Sequence, residues 1–251
     1  MENLRQNKAV ITTSWDDGHP LDLKLAEMLQ KYNLPATFYV PTKNVERECM
    51  NPKQVAEIAQ NFEIGGHTSH HFDLTRLPLH EAKREIIESK QEIENITGKE
   101  LLSFCPPKAK INAEIIKVVK EAGFAISRTA RLFTRRIKDP FKIGTTVHVQ
   151  DHWVVPYINE AIMSRDKDML RFLIRHNLFF KRWDQIAIYT LNFVIEHGGI
   201  WHLWGHSWEI EENNNWERLE KVLRITSAIS KEAKKVDNSH LIEYCNHEFT
   251  P

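Results

Sequence analysis

Short apolar runs alternate with longer amphipathic segments along most of the 251-residue chain. The short runs predict seven strands, at residues 9–15, 36–40, 62–66, 101–104, 124–127, 144–150 and 199–204. Apolar residues at helical spacing predict helices between them, at residues 21–32, 51–59, 79–96, 112–122, 157–175, 183–196 and 215–235. Because strands that alternate with helices favour a parallel sheet with crossover helices, we expect an α/β fold, with residues 1–251 forming one domain.

Composition argues against several kinds of partner and location. Lys plus Arg and Asp plus Glu number 34 each, so no net field favours nucleic acid or an anionic membrane. The polar residues 1–8 lead directly into the first predicted strand, without the apolar stretch of a signal peptide, and no run is long enough to span a membrane. We therefore expect a cytoplasmic protein. Cys49, Cys105 and Cys245 lie far apart and predict no disulfide framework.

Two adjacent carboxylates, Asp16 and Asp17, follow the first predicted strand and precede Gly18. Successive side chains of a strand point to opposite faces, so both carboxylates reach one cleft only where the backbone turns. One carboxylate can then bind a cation while the other stays free as a base. For this stretch alone, an acidic turn that caps the next helix is the better interpretation.

Three histidines follow the third predicted strand, at His67, His70 and His71. His67 and His71 are four residues apart, close enough for one compact turn to aim both at one ion. Together with Asp17 they form a three-ligand set with open positions for water and substrate, as a catalytic metal requires. Zn²⁺ suits this set best, and Co²⁺, Ni²⁺ and Fe²⁺ also fit it.

These two motifs resemble those of a known family. Residues 14–18, Ser-Trp-Asp-Asp-Gly, resemble the first motif, T-F-D-D-G, of the NodB-type polysaccharide deacetylases, carbohydrate esterase family four. Residues 67–71, His-Thr-Ser-His-His, match the family's second motif, H-[ST]-x-x-H. The resemblance extends through most of the chain and weakens in the middle. It implies a distorted (β/α) barrel of about seven parallel strands, and a flat doubly wound sheet is the alternative.

The resemblance also implies roles for single residues. Asp17, His67 and His71 would hold a divalent metal, and Asp16 would take a proton from water as general base. His206 follows the last predicted strand, as the family's catalytic histidine does, and would protonate the leaving amine. His202, on the strand itself, is the rival for this role.

The third motif departs from the family pattern. Cys105, Pro106 and Pro107 lie where the family has R-P-P, so Cys105 replaces an arginine that pairs with the catalytic aspartate and helps set its basicity. Cysteine supplies no fixed positive charge. Arg128, just past the next predicted strand, is the candidate replacement, and we predict that it approaches Asp16 in the folded cleft. Cys105 is expected to be a small core residue rather than a nucleophile.

Three further residues are candidates for substrate binding. Residues 151–153 weakly resemble the fourth motif, in which Asp151 would orient His206 and Trp153 would form the floor of the acetyl pocket, and an ordinary loop is at least as good an interpretation. Trp204 would stack on a sugar, with core packing as an equal alternative. The region of Pro107 would offer a backbone N–H to an oxyanion.

The resemblance thus implies a metal-dependent hydrolase that removes acetyl groups from an N-acetylated, or O-acetylated, sugar or polysaccharide, with carbohydrate as its partner. Two other interpretations stay open. One is a C–N hydrolase of the same fold that acts on a small cyclic amide or ureide. The other is a carbohydrate-binding protein without catalysis, although binding alone does not require the second carboxylate, Asp16.

Overall fold

The computed structural model describes residues 9–230 and 233–245, which form a parallel sheet surrounded by helices. The strands are β1 (Ala9–Asp16), β2 (Thr37–Val40), β3 (Glu63–Gly66), β4 (Ser103–Phe104), β5 (Ile126–Ser127), β6 (Val147–His148), β7 (Gly199–Gly205) and β8 (Lys234–Lys235). The helices are α1 (Asp22–Lys31), α2 (Pro52–Ile58), α3 (Leu79–Thr97), α4 (Ala113–Glu121), α5 (Val154–Met163), α6 (Lys167–Arg175), α7 (Trp183–His197), α8 (Ser207–Glu212) and α9 (Trp216–Ile229).

The strand order is β5-β4-β3-β2-β1-β7-β6, with β8 beside β1, and every strand pair in it is parallel. The chain just before β6 also reaches the opposite edge of the sheet. There Arg128 and Ile143 form a parallel bridge, and the Thr129 N–H donates to the Ile143 carbonyl at 2.7 Å. The sheet therefore curls into the distorted barrel that the family resemblance implies, and the flat sheet is wrong.

The interior of the barrel changes from apolar to polar along β1. At the amino end, Val10 packs in a small apolar cluster, whose other buried members are Ile126, Ile137, Ile143, Ile200 and Leu241. One layer up, the Thr12 hydroxyl donates to the side chain of Asn238 at 2.8 Å. The next inward residue, Ser14, is hydrogen-bonded to His202. Asp16 occupies the following position at the carboxyl end, where barrel active sites form.

The helix predicted at residues 157–175 is two helices, α5 and α6. Arg165, between them, has a left-handed backbone (φ 56°), which no α-helix accommodates. The Asp166 side chain then accepts hydrogen bonds from the backbone N–H groups of Asp168 and Met169 and starts α6. Apolar residues on both faces of α5 obscured this break in the sequence.

The end of the chain also differs from the prediction. The helix predicted to reach residue 235 ends at Ile229, and residues 231–232 lie outside the described residues. Among the described α-helices and strands, two were not predicted, the six-residue helix α8 and the two-residue strand β8. All three cysteines are free thiols. Among the described residues, no helix is both long enough and apolar enough to cross a bilayer.

Candidate active site

Polar side chains from four strand ends meet at the carboxyl end of the barrel. Asp16 ends β1 and Asp17 follows it, while His67 and His71 follow β3. Arg128 and His206 come directly after β5 and β7, respectively. All of these side chains except His206 are at least nine-tenths buried, and His206 is partly exposed. The parallel sheet thus brings together six residues that are up to 190 positions apart in the chain.

Three of these side chains form a cluster of ligand atoms. The Asp17 Oδ1 atom lies 3.0 Å from His71 Nε2 and 3.4 Å from His67 Nε2. One ligand atom from each of the three lies within 4.8 Å of the others. Asp17 and His71 have left-handed backbones, with φ of 77° and 63°. Such conformations are costly for residues other than glycine and concentrate at functional sites.

Both imidazoles of the cluster are oriented by their second nitrogen. His67 Nδ1 donates to the Cys105 carbonyl at 2.6 Å, and His71 Nδ1 donates to the Glu46 carboxylate at 3.0 Å. With each Nδ1 bound to these acceptors, the Nε2 atoms point toward Asp17, and loss of the Nε2 proton frees a lone pair for metal ligation. One carboxylate and two such imidazoles are a donor set that fits a divalent metal, Zn²⁺ in particular.

The electrostatics of the cluster favour a charged carboxylate. Burial alone would raise the pKa of Asp17, but hydrogen bonds from His67 and His71 hold that pKa far below its usual range. The other oxygen of Asp17 accepts a hydrogen bond from the Trp208 indole at 2.9 Å. Burial lowers the pKa of His71, but its hydrogen bond to Asp17 outweighs this effect, and the net shift is upward.

Asp16 stays outside the cluster and is bound to Arg128. The guanidinium contacts the Asp16 carboxylate directly, so the predicted approach of Arg128 to Asp16 is confirmed. The same guanidinium lies between two aromatic rings, 4.8 Å from the Trp204 centroid and 5.2 Å from that of Tyr39. The Cys105 thiol lies 3.7 Å from Asp16, and burial raises the pKa of this thiol well above its ordinary value. Cys105 is therefore a neutral core thiol, not an activated nucleophile.

His206 points toward the cluster from the opposite side. Its Nε2 atom lies 4.0 Å from Asp17 Oδ2, and its Nδ1 donates to the Glu209 carboxylate at 3.1 Å. Burial opposes protonation of His206, but the hydrogen bond to Glu209 raises its pKa overall. His206 is thus arranged to carry a proton beside the cluster.

Glu209 also lies 3.0 Å from His148 Nε2, and the His148 ring stacks on Trp204 with centroids 4.0 Å apart. Burial raises the pKa of Glu209, but its hydrogen bonds to His148 and His206 bring this pKa down to about 2. The prediction that Asp151 orients His206 is wrong. Asp151 accepts hydrogen bonds from Arg218, at 2.9 and 3.0 Å, and from the Trp183 backbone.

His202, the rival acid, is fully buried inside the barrel. Its Nε2 is 2.8 Å from the Ser14 hydroxyl, and burial holds its pKa well below the ordinary value. A neutral, enclosed imidazole has no route to a leaving group, so the geometry favours His206.

The three substrate-binding candidates are in different surroundings. Trp204 is buried and forms a wall of the site, between Arg128 and His148. Pro107 is buried in the turn that follows β4. Trp153 is 87% exposed, immediately before α5, so its ring does not form the floor of a closed pocket in this structure. The substrate-binding roles of all three stay predictions.

Two functional candidates, Glu46 and Glu209, were missed in the sequence, and each holds an imidazole of the site. Trp208 donates to Asp17, a contact that the sequence did not indicate. Glu209 and Trp208 follow His206 by three and two residues, so a carboxylate one turn after a candidate catalytic histidine was the available signal. Glu46 lies in an irregular loop and carried no comparable signal.

Comparison with known proteins agrees with this geometry. Residues 3–127, about half of the chain, match the family model described as polysaccharide deacetylase. A peptidoglycan-N-acetylglucosamine deacetylase of Bacillus cereus is 31% identical over 120 residues, which are 47% of this chain and 55% of that protein. The peptidoglycan-N-acetylmuramic acid deacetylase PdaC of Bacillus subtilis is 31% identical over 122 residues, covering 47% of this chain and 26% of PdaC. The chain thus spans about half the length, or less, of these curated relatives.

Solved structures share the fold over nearly the whole chain. A Mycobacterium smegmatis protein assigned to the polysaccharide deacetylases superposes with a TM-score of 0.68 at 15% identity, covering 97% of this chain and 92% of that one. A Bacillus anthracis pseudoenzyme of carbohydrate esterase family four superposes with a TM-score of 0.53 at 17% identity, covering 93% and 64%. At such identities the likeness shows the fold alone. The matched region carries both the Asp-Asp-Gly and the histidine motif, and the chain belongs to the polysaccharide deacetylase family.

Proposed function

We propose that this chain is a metal-dependent hydrolase that removes acetyl groups from an N-acetylated sugar or polysaccharide, with O-acetyl esters as substrates of the same machinery. One observation carries the proposal. Asp16 is buried beside the three-ligand cluster, with one oxygen within 4.8 Å of ligand atoms of His67 and Cys105, yet its carboxylate is bound to Arg128. Carbohydrate binding alone gives no reason to bury a second carboxylate there, whereas hydrolysis needs a base.

Asp17, His67 and His71 would hold the metal. When bound, a divalent ion at this site supplies a Lewis acid that polarises the acetyl carbonyl and acidifies a water molecule. The preset imidazole orientations and the charged state of Asp17 support this assignment, because ligands must offer lone pairs rather than protons.

Asp16 would accept the proton that water loses as it adds to the acetyl carbonyl. Arg128 holds the carboxylate in a fixed orientation, so no side-chain freedom is lost during the reaction. His206 would donate a proton to the amine nitrogen as the C–N bond breaks, and Glu209 keeps its ring in place through Nδ1. Water thereby adds across the C–N bond, and the products are acetate and a free amine.

The substrate proposal rests on the relatives. The two Bacillus relatives compared above are named for deacetylating peptidoglycan sugars, so we infer that an acetamido sugar of a glycan is the substrate class of this chain. Trp204, Trp153 and Pro107 are the residues proposed to line its path. None of the compared proteins favours the cyclic amide or ureide alternative.

The test is acetate release from a panel of acetamido-sugar oligomers, acetylated sugar esters and ureides, with protein stripped by chelator and with protein reloaded with Zn²⁺. We expect acetate from the acetamido sugars after reloading only. Acetate release that persists in the stripped protein would contradict the metal dependence. Ureide hydrolysis without acetate release would replace the proposed substrate class.

A further inference from the structure

The outer face of α5 is exposed and mostly apolar, with Asn159 as an exposed polar residue on it. Large apolar side chains that are exposed concentrate here, with five of them in eleven residues: Trp153, Val155, Ile158, Ile162 and Met163. The last four follow helical spacing, so they form a stripe on the side of α5 that is opposite the buried Tyr157 and Ala161. At 66% and 56% exposure, Val155 and Ile162 stand in solvent. Contiguous patches of this kind mark interaction surfaces.

A cationic cavity of about 620 Å³ begins where this stripe ends. Seven cationic side chains and three carboxylates line it, an excess of four positive charges in a chain whose own charges balance. The cations are Arg131, Arg135, Arg136, Lys138, Lys142, Arg165 and Lys167. Met163 belongs to both features, since it lines the cavity and ends the apolar stripe.

The buried cation on the floor of the cavity is paired with carboxylates, whereas, among the described residues, the exposed cations at its rim are not. Arg135 is buried, with its guanidinium 2.6 Å from Asp166 and hydrogen-bonded to the Gly198 carbonyl at 3.2 Å. Asp166 and Asp168 therefore neutralise the charge of Arg135 on the floor of the cavity. Within residues 9–230 and 233–245, no carboxylate forms an ion pair with the exposed rim cations Arg131, Lys138, Lys142, Arg165 and Lys167.

The cavity is remote from the candidate active site. Arg135 binds the residue just before β7, whereas His206 follows the other end of that strand. A seven-residue strand spans roughly 20 Å. The ten-residue helix α5 is about 15 Å long, and its carboxyl end, at Met163, lines the cavity. The deacetylase chemistry proposed above therefore makes no use of these cations.

A lipid surface with anionic headgroups matches both features at once. Acyl chains near the interface accept an apolar helix face, and headgroup phosphates attract clustered Lys and Arg. A soluble phosphate compound would satisfy the cations but leave the stripe in water. A second copy of the chain, docked about a two-fold axis, would bring the same uncompensated cations against each other.

We infer that α5 and the adjoining cationic cavity form a docking surface for an anionic phospholipid membrane, with the stripe against the acyl region and the cavity on a headgroup phosphate. The attachment is peripheral, through one helix face and its neighbouring loop. This inference stands independently of the proposed activity, because it concerns binding by residues outside the active site.

The experiment is co-sedimentation of the full chain with phosphatidylcholine vesicles, with and without phosphatidylglycerol, at low and high salt. We expect binding to the anionic vesicles only, weakened by salt. Two double variants test the two features separately: Lys142→Ala with Arg165→Ala, and Ile158→Ser with Ile162→Ser. Each double variant should lower the vesicle partition coefficient by about tenfold or more. The cationic pair does so because each cation near an anionic surface contributes about 1 kcal/mol. The isoleucine pair does so because its apolar contact with the acyl region is lost.

Lys53→Ala and Leu79→Ser are the matched controls, because both residues are exposed and lie on α2 and α3, away from α5. Both controls should bind as the unaltered chain does, and melting temperatures check that every variant is folded. The inference is overturned if the unaltered chain does not bind anionic vesicles, or if the double variants bind them as strongly as the unaltered chain does. It is also overturned if inorganic pyrophosphate binds while vesicles do not, or if the isoleucine pair instead abolishes a dimer.

Discussion

Replacing Arg128 with methionine tests the buried ion pair on which the proposed base depends. The Arg128 side chain is fully buried and the Asp16 side chain is 6% exposed. Methionine keeps much of the aliphatic volume between Tyr39 and Trp204 but removes the charge. The Asp16 carboxylate is then left buried beside the neutral thiol of Cys105, with its fixed positive partner gone.

The expected loss follows from burial. Removing one partner of a buried pair costs about 3–5 kcal/mol of unfolding free energy, because it strands the other charge away from water. An exposed pair would cost only about 0–1 kcal/mol. In a double-mutant cycle with Asp16→Asn, the second substitution removes the stranded charge, and we expect a coupling of about 3 kcal/mol.

The assay is urea denaturation of the four proteins in chelator, so that metal binding adds nothing to stability. Arg128→Lys is the matched control, since it keeps the charge but loses the planar guanidinium. Its free energy of unfolding should lie between that of Arg128→Met and that of the unaltered chain. A coupling near zero, with Arg128→Met as stable as the unaltered chain, would refute the reasoning. It would mean that Arg128 and Asp16 do not depend on each other in solution.

Three further predictions address the rest of the site. Cys105→Ala should cost about 1 kcal/mol of stability and leave turnover within a few-fold, because Arg128 supplies the charge; a loss of the order seen for a catalytic group would contradict this. His67→Ala should lower the zinc content measured by mass spectrometry, whereas His70→Ala should not, since His70 binds Glu85 outside the cluster; equal zinc in both would argue against the ligand set. The pKa of Glu209 is about 2 in the fold, against an ordinary 4.5, so its stabilisation is present above pH 4.5 and is lost as pH falls toward 2. Acid titration should therefore remove about 3 kcal/mol more from the unaltered chain than from Glu209→Gln, and parallel curves for the two would contradict the assigned contacts of Glu209.

Much of the site was predictable because it depends on strand ends. Once the residues around Asp16 and His67 are placed after parallel strands, the geometry of the sheet brings them together whatever the intervening helices do. The contact between Arg128 and Asp16 was predictable for the same reason. It needed only the recognition that a charge missing at Cys105 must be supplied from the neighbouring strand end.

The partner of His206 was not predictable in the same way. Asp151 and Glu209 are both carboxylates near strand ends, and the choice between them depends on where α8 begins. A six-residue helix carries too few turns for a periodic signal. Asp151 instead pairs with Arg218, a residue of α9. Because Arg218 is 67 positions away, no local sequence pattern indicates this contact.

The break between α5 and α6 was missed because the sequence of α5 is apolar on both faces. A helix with one apolar face would have shown where its period stops, but the exposed Ile158 and Ile162 continue the pattern around the helix. The same residues that hid the break are those that form the proposed membrane-docking stripe.

The central claim is that Asp16 is the base of a metal-dependent hydrolase, and Asp16→Asn tests it most directly. Asparagine keeps the size of the side chain and most of its hydrogen bonding but cannot accept the proton. With zinc content measured on the same samples and unchanged, the account predicts that kcat for acetate release falls on the order of 10²-fold or more. Near-normal turnover in zinc-replete Asp16→Asn protein would contradict the account.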